Sequence, residues 1–176
     1  STGFDTTSDD IDDEIREIFL EEFEEEIANL GQLLPAWKAD PSNIERLQPV
    51  RRVFHTLKGS GRLVGAKTLG EFSWKIENML NKVRDGHRPA TSPVIATVEQ
   101  AYAALPQLHA ALRGDGVVTA DLHAIEAFAE RIAGGEEVMP VAAAAAVVET
   151  APVVAFEAVV ADFTAGALLE AEGDGI

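Results

Sequence analysis

The chain has 176 residues, 47% of them hydrophobic, no cysteine and a formal net charge of −16. That supplies the core of one small domain, and it excludes a disulfide framework, a thiolate metal site and a cysteine nucleophile. The negative charge argues against a nucleic-acid partner. No apolar run reaches the ~18 residues of a membrane helix, and residues 1–13 are too polar for a signal peptide, so a cytoplasmic protein without a membrane partner is expected.

Helical periodicity dominates the first 135 residues. After an N-terminal extension, residues 1–9, the first helix is expected over 10–38. Its apolar positions are Ile11, Ile15, Ile18, Phe19, Phe23, Ile27, Leu30, Leu34 and Trp37, spaced as one buried stripe. Acidic residues crowd its first turn, where the helix dipole favours them. Pro35 is expected to kink it or end it early. Asp40-Pro41-Ser42 marks a turn, and a second helix follows to about Val64, with Gly65 as terminator.

Thr68 and Glu71 read as a capping box opening a third helix, which stops at Gly86. Ser92-Pro93 reads as an N-cap with proline at the first helical position, beginning a fourth helix to about Arg113. Pro106 is expected to kink that helix. A fifth helix, from about Thr119 to Ala133, presents Leu122, Ile125, Phe128 and Ile132 on one side. The composition after Glu136 turns to Ala, Val and Pro, so residues 136–176 read as a flexible linker or tail, in which Val153 to Leu169 admits a weak helix or strand. The expected domain is therefore 10–135: an all-α antiparallel four-helix bundle with one additional helix.

Charge is unevenly distributed. Between Arg46 and Arg88 there are ten Lys or Arg residues and three acids, a basic island that fits an acidic partner or an anion. On a helical wheel of the second helix, Leu47, Val50, Phe54, Leu57 and Val64 form the core side. Gln48, Arg51, Arg52, Lys58, Gly59 and Arg62 fall within about 60° of His55 on the solvent side. An exposed neutral imidazole is a nucleophile able to attack a phosphoryl group, and Lys58, one turn on, can reach the oxygens of that group. Gly59 costs the helix ~1 kcal/mol relative to alanine, and its use would be open space beside the ring. On this wheel Gln48, Arg51, Arg52 and Arg62 are the expected docking residues.

The stretch from His55 to Gly65, HTLKGSGRLVG, resembles the H-x-x-K-G-[SA]-x-x-x-x-G signature of histidine phosphotransfer (HPt) domains, especially those of chemotaxis-type hybrid histidine kinases. Ile76-Glu77-Asn78-Met79-Leu80 is similar to the family's L-M-E-N-L-L stretch at the same distance from the histidine. The resemblance covers roughly residues 10–135, including the Ile15–Glu22 stretch of the first helix. It implies that His55 accepts a phosphoryl group from a histidine kinase or receiver and passes it to an aspartate of a response regulator. It also implies that Glu77 accepts the Nδ1 hydrogen of His55, leaving Nε2 as the nucleophile.

The partners implied are a receiver domain, carrying Mg2+, and a kinase catalytic domain, carrying ATP. The chain itself is expected to need no cofactor or metal, to contain no ATP-binding glycine boxes, to be a piece of a larger kinase and to be a monomer. A non-catalytic scaffold with the same fold is the rival reading, and the intact His55, Lys58, Gly59 and Glu77 weigh against it. Gly59-Ser60-Gly61 ends a helical pattern, which argues against a dinucleotide turn. The residue three before each histidine is never Glu, which argues against a di-metal bundle. His87, His109 and His123 are expected at the surface or at helix ends.

Overall fold

The computed structural model describes residues 10–140; the expectations for residues 1–9 and for the segment after Pro140 lie outside them. Five helices follow one another: α1 (Asp10–Ala39), α2 (Ile44–Leu63), α3 (Lys67–Arg84), α4 (Ser92–Arg113) and α5 (Leu122–Ala133). No strand occurs among the described residues. Short turns make α1, α2 and α3 antiparallel neighbours. α4 returns against α1, and α5 lies against both α3 and α4.

Local chemistry fixes most of the boundaries. Between α1 and α2, the Trp37 indole Nε1 donates to the Pro41 carbonyl at 3.3 Å, and Asn43 caps α2 by accepting from the Glu45 amide at 3.0 Å. Gly65 takes a positive φ of 84°, so the chain reverses tightly and the Ala66 amide reaches the Gly61 carbonyl at 2.7 Å. Pro35 does not end α1, which runs on to Ala39. The last turn is held by the buried Trp37 rather than by an uninterrupted ladder. Likewise α4 continues through Pro106, with Leu105, Leu108 and Leu112 buried on both sides of it.

Three expected helix starts move. α3 begins at Lys67 with Ala66 at the cap position, so Thr68 lies inside the helix rather than at its cap. α4 is preceded by Thr91, which makes Ser92 its first residue and Pro93 its second. α5 starts at Leu122, because the Gln107 side-chain oxygen accepts the Thr119 and Ala120 amides at 2.7 and 3.0 Å. Asp121 then caps the helix through the Ala124 amide.

Phe23, Leu30 and Trp37 of α1 meet Phe54, Leu57, Phe72, Ile76 and Leu105 in one core. The α1 stripe fails at its N-terminal end, where Ile15 and Ile18 are 45% and 58% exposed. That part of α1 runs beyond the end of its shorter neighbour α2. On α2, Val53 is also buried, whereas Val64, just past the last helical residue Leu63, is only partly so. His109 is not at the surface. It is buried edge-on to Phe23, and its Nε2 donates to the Leu20 carbonyl at 2.9 Å.

The basic island is not one face either. Buried Arg88 donates to the carbonyls of Pro89, Ile132 and Glu136 and to the Thr91 hydroxyl, and it pairs with Glu137. It ties the segment after α5, including partly buried Val138 and buried Pro140, to the α3–α4 turn. Lys75 pairs with Glu71 and Glu130.

Two glycines of α2 have opposite surroundings. A Cβ on Gly59 would meet nothing within 4 Å, whereas one on Gly61 would lie 3.3 Å from the Ala66 carbonyl oxygen and 3.4 Å from the Gly70 amide nitrogen. Gly59→Ala should therefore raise stability by roughly 0.5–1 kcal/mol. Gly61→Ala should gain nothing, and Gly61→Leu should lose about 1–3 kcal/mol because the α3 backbone must move away. Urea midpoints of the three variants check this ordering.

Burial also pushes the Glu126 carboxyl up to about 7, with Glu71 and Glu130 adding to the rise and His123 and Lys75 opposing it. A raised acid holds its proton in the folded state while the unfolded chain has released it, so this group costs stability as pH rises from 4.5 toward 7. Glu126→Gln should accordingly gain on the parent between about pH 5 and pH 8 in thermal melts.

Candidate functional site: an exposed histidine over a buried carboxylate

α2 carries its core stripe on one side and His55 on the other. Phe54 and Leu57 are buried, while the His55 side chain is 55% exposed. α3 approaches from the flank. Gly61 and Gly70 stand where side chains would hold the two helices apart, and the Arg62 stem lies across Gly70. This close approach brings Glu77 of α3 beneath the imidazole.

The Glu77 side chain is only 5% exposed and gathers three basic groups. Its Oε2 lies 2.8 Å from His55 Nδ1 and 3.7 Å from Arg51 Nη2. Its Oε1 lies 2.7 Å from the Lys58 ammonium, in a close ion pair. Burial alone would raise the Glu77 carboxyl, but Lys58 and His55 outweigh it and hold the group below the usual 4.5. An ionised carboxylate only accepts, so His55 Nδ1 carries the hydrogen and Nε2 keeps its lone pair toward solvent.

The sequence-derived residues separate into two sets. His55, Lys58 and Glu77 come together, and Gly59 leaves open space beside them. Arg52 and Arg62 are exposed and Gln48 is half-buried along the same side of α2. Arg51 instead turns inward: its side chain is 18% exposed, and its Nε donates to Asn81 Oδ1 of α3 at 2.7 Å. Sequence reasoning missed Asn81. Its signal is the spacing from Glu77, four residues on and therefore on the same face of α3.

Among the described residues no group of three His, Asp or Glu side chains could hold a metal ion, and no helix is long and apolar enough to cross a membrane.

Glu77→Gln should leave Lys58 and Arg51 without their counter-charge and cost about 1–3 kcal/mol near neutral pH. Because the folded pKa is lowered, the stabilisation is present above the unfolded value and disappears as pH falls through the folded one. The gap between parent and variant should thus close below pH 4.5. In Glu77→Ala the Nδ1–H tautomer of His55 should give way to a mixture, readable by 15N NMR of the ring. An unchanged tautomer would show that Glu77 does not set the ring's hydrogen.

The chain matches the model of the Hpt domain over residues 14–114, a stretch that includes the site and leaves α5 outside. It is 31% identical to "Chemotaxis protein CheA" of Rhizobium meliloti over 140 residues, which is 79% of this chain and 18% of that protein. It is 26% identical to "Chemotaxis protein CheA" of Halobacterium salinarum over 126 residues, 69% of this chain and 19% of the relative. It is 29% identical to "Sensor histidine kinase CheAY" of Helicobacter pylori over 103 residues, 58% and 13% respectively. No solved structure matches the chain. This chain spans less than a fifth of these relatives, and the match over its helical core and motif histidine makes it a member of the Hpt domain family.

Proposed function

We propose that this chain is a phosphorelay intermediate of chemosensory signalling, with His55 as its phosphoacceptor. The observation that carries the reading is an exposed imidazole whose Nδ1 is held by a buried carboxylate, leaving Nε2 free. The Nε2 lone pair attacks phosphorus, the bond to the donor's leaving group breaks, and the imidazole becomes a phosphoimidazolium that still carries its Nδ1 hydrogen. Glu77 faces the charge that develops on the ring. A receiver aspartate then attacks the same phosphorus in line and the neutral imidazole leaves.

The chain acts as a phosphotransfer module and not as a kinase catalytic domain. ATP belongs to the kinase partner and the divalent cation to the receiver partner. The relatives are longer proteins named for chemotaxis and histidine kinase activity, and this supports reading the chain as the phosphotransfer piece of such a kinase, working in the cytoplasm. Gln48, Arg52 and Arg62, with the open space at Gly59, form the face on which a receiver's acidic pocket docks.

His55→Gln should abolish acid-labile, base-stable labelling from a cognate kinase domain and ATP. Its helical content and melting temperature should stay near parental values, since the residue is exposed. Retained labelling would remove His55 as the acceptor. Gly59→Leu should fold normally, take up label and fail to pass it to a cognate receiver, because the leucine fills the approach to Nε2. Transfer at the parental rate would place the receiver on another face. Arg62→Glu should weaken docking, most at low salt.

A further inference from the structure

Glu77 holds two cations when one would neutralise it, and the two are held differently. Arg51 is held by one cross-helix hydrogen bond, its Nε donating to Asn81 at 2.7 Å, and its Nη2 faces Glu77 Oε2 across a longer ion-pair distance of 3.7 Å. Lys58 meets Oε1 at 2.7 Å from the end of a flexible stem, with no second partner among the described residues holding its ammonium, and its side chain is about as buried as that of Arg51. Arg51 precedes His55 by four residues and Lys58 follows it by three, so both flank the ring on the side facing α3. A planar fork braced by Asn81 stays, whereas an ammonium on four methylenes with no such brace can swing.

A phosphoryl group on Nε2 brings two negative charges next to Lys58. The ammonium would gain by turning to it, but that takes a cation from a buried carboxylate and leaves it the phosphoimidazolium Nδ1–H alone unless a second cation stays. Arg51 removes that obstacle. We propose that Arg51, braced by Asn81, is the standing counter-ion of Glu77 and thereby releases Lys58 to the phosphoryl group as His55 is phosphorylated. Arg51 is on this view a positioning residue that acts through Lys58. The inference rests on His55 as phosphoacceptor and extends that reading to the residues behind it.

Phosphoramidate tests this without a kinase or receiver, so docking does not enter. The P–N bond of the donor breaks, ammonia leaves, and the Nε2–P bond forms on His55. Arg51→Gln should slow this labelling about tenfold, equivalent to ~1.4 kcal/mol in the barrier. The Nδ1–H tautomer and the circular dichroism spectrum should not change, because Lys58 remains on Glu77 in the resting state. Arg51→Lys should recover part of the rate.

The deciding comparison uses E77Q, in which nothing pins Lys58. Adding R51Q to E77Q should change the rate by less than about twofold. Labelling of R51Q at the parental rate would overturn the proposal. So would equal slowing by R51Q with and without E77Q, which would mean that Arg51 acts on the phosphoryl group directly. A parental chain that takes no label would overturn the assignment of His55 itself, a result distinct from either of these.

Discussion

A carboxylate taken out of water must be answered by positive charge or hydrogen bonds, and Glu77 imposes that demand on the whole α2–α3 pair. Its two oxygens are shared among His55, Lys58 and Arg51, all on α2. To satisfy it the helices must pack closely and in one register. Glycines at 61 and 70 permit the approach, and the tight reversal at Gly65 sets the register. The site is therefore a property of one helix pair, and the remaining helices serve to keep that pair in place.

The core does so from behind. Phe54 and Leu57 adjoin His55 in sequence yet face the opposite way, into a cluster with Phe72 and Ile76 that fixes the rotation of α2 about its axis. A small rotation would carry the imidazole off the carboxylate. α5, outside the Hpt match, adds a second support by closing over α3 and α4, and Arg88 fastens its C-terminal end to the α3–α4 turn. Several arginines and lysines that look available for an anionic partner are spent on these structural ties.

The same packing leaves the far side of the His55 ring facing outward. On the proposed role, a nucleophile that meets partner domains needs an open approach, and an orienting group that does not itself react needs burial. The helix supplies both within one turn, because residues on its two flanks differ in exposure while their backbones stay rigid. Glu77 holds Nδ1 from the flank, and the open position at Gly59 leaves room beside the ring.

Periodicity along the chain was enough to establish five helices, their order and the core side of α2, because burial repeats every three to four residues and turns carry their own residue types. The HTLKGSG motif and the downstream glutamate also pointed to His55, Lys58, Gly59 and Glu77, since their spacing is written in the chain. Helix starts moved where a distant group took the first amides, as Gln107 does before α5. Ile18 and His109 were misplaced because exposure depends on how far neighbouring helices extend, which no local pattern encodes. A wheel gives Arg51 an angle but not a partner. Only the packing of α3 against α2 brought Asn81 and Glu77 to it, turning an expected docking residue inward, because pairing across helices depends on tertiary register rather than on sequence spacing.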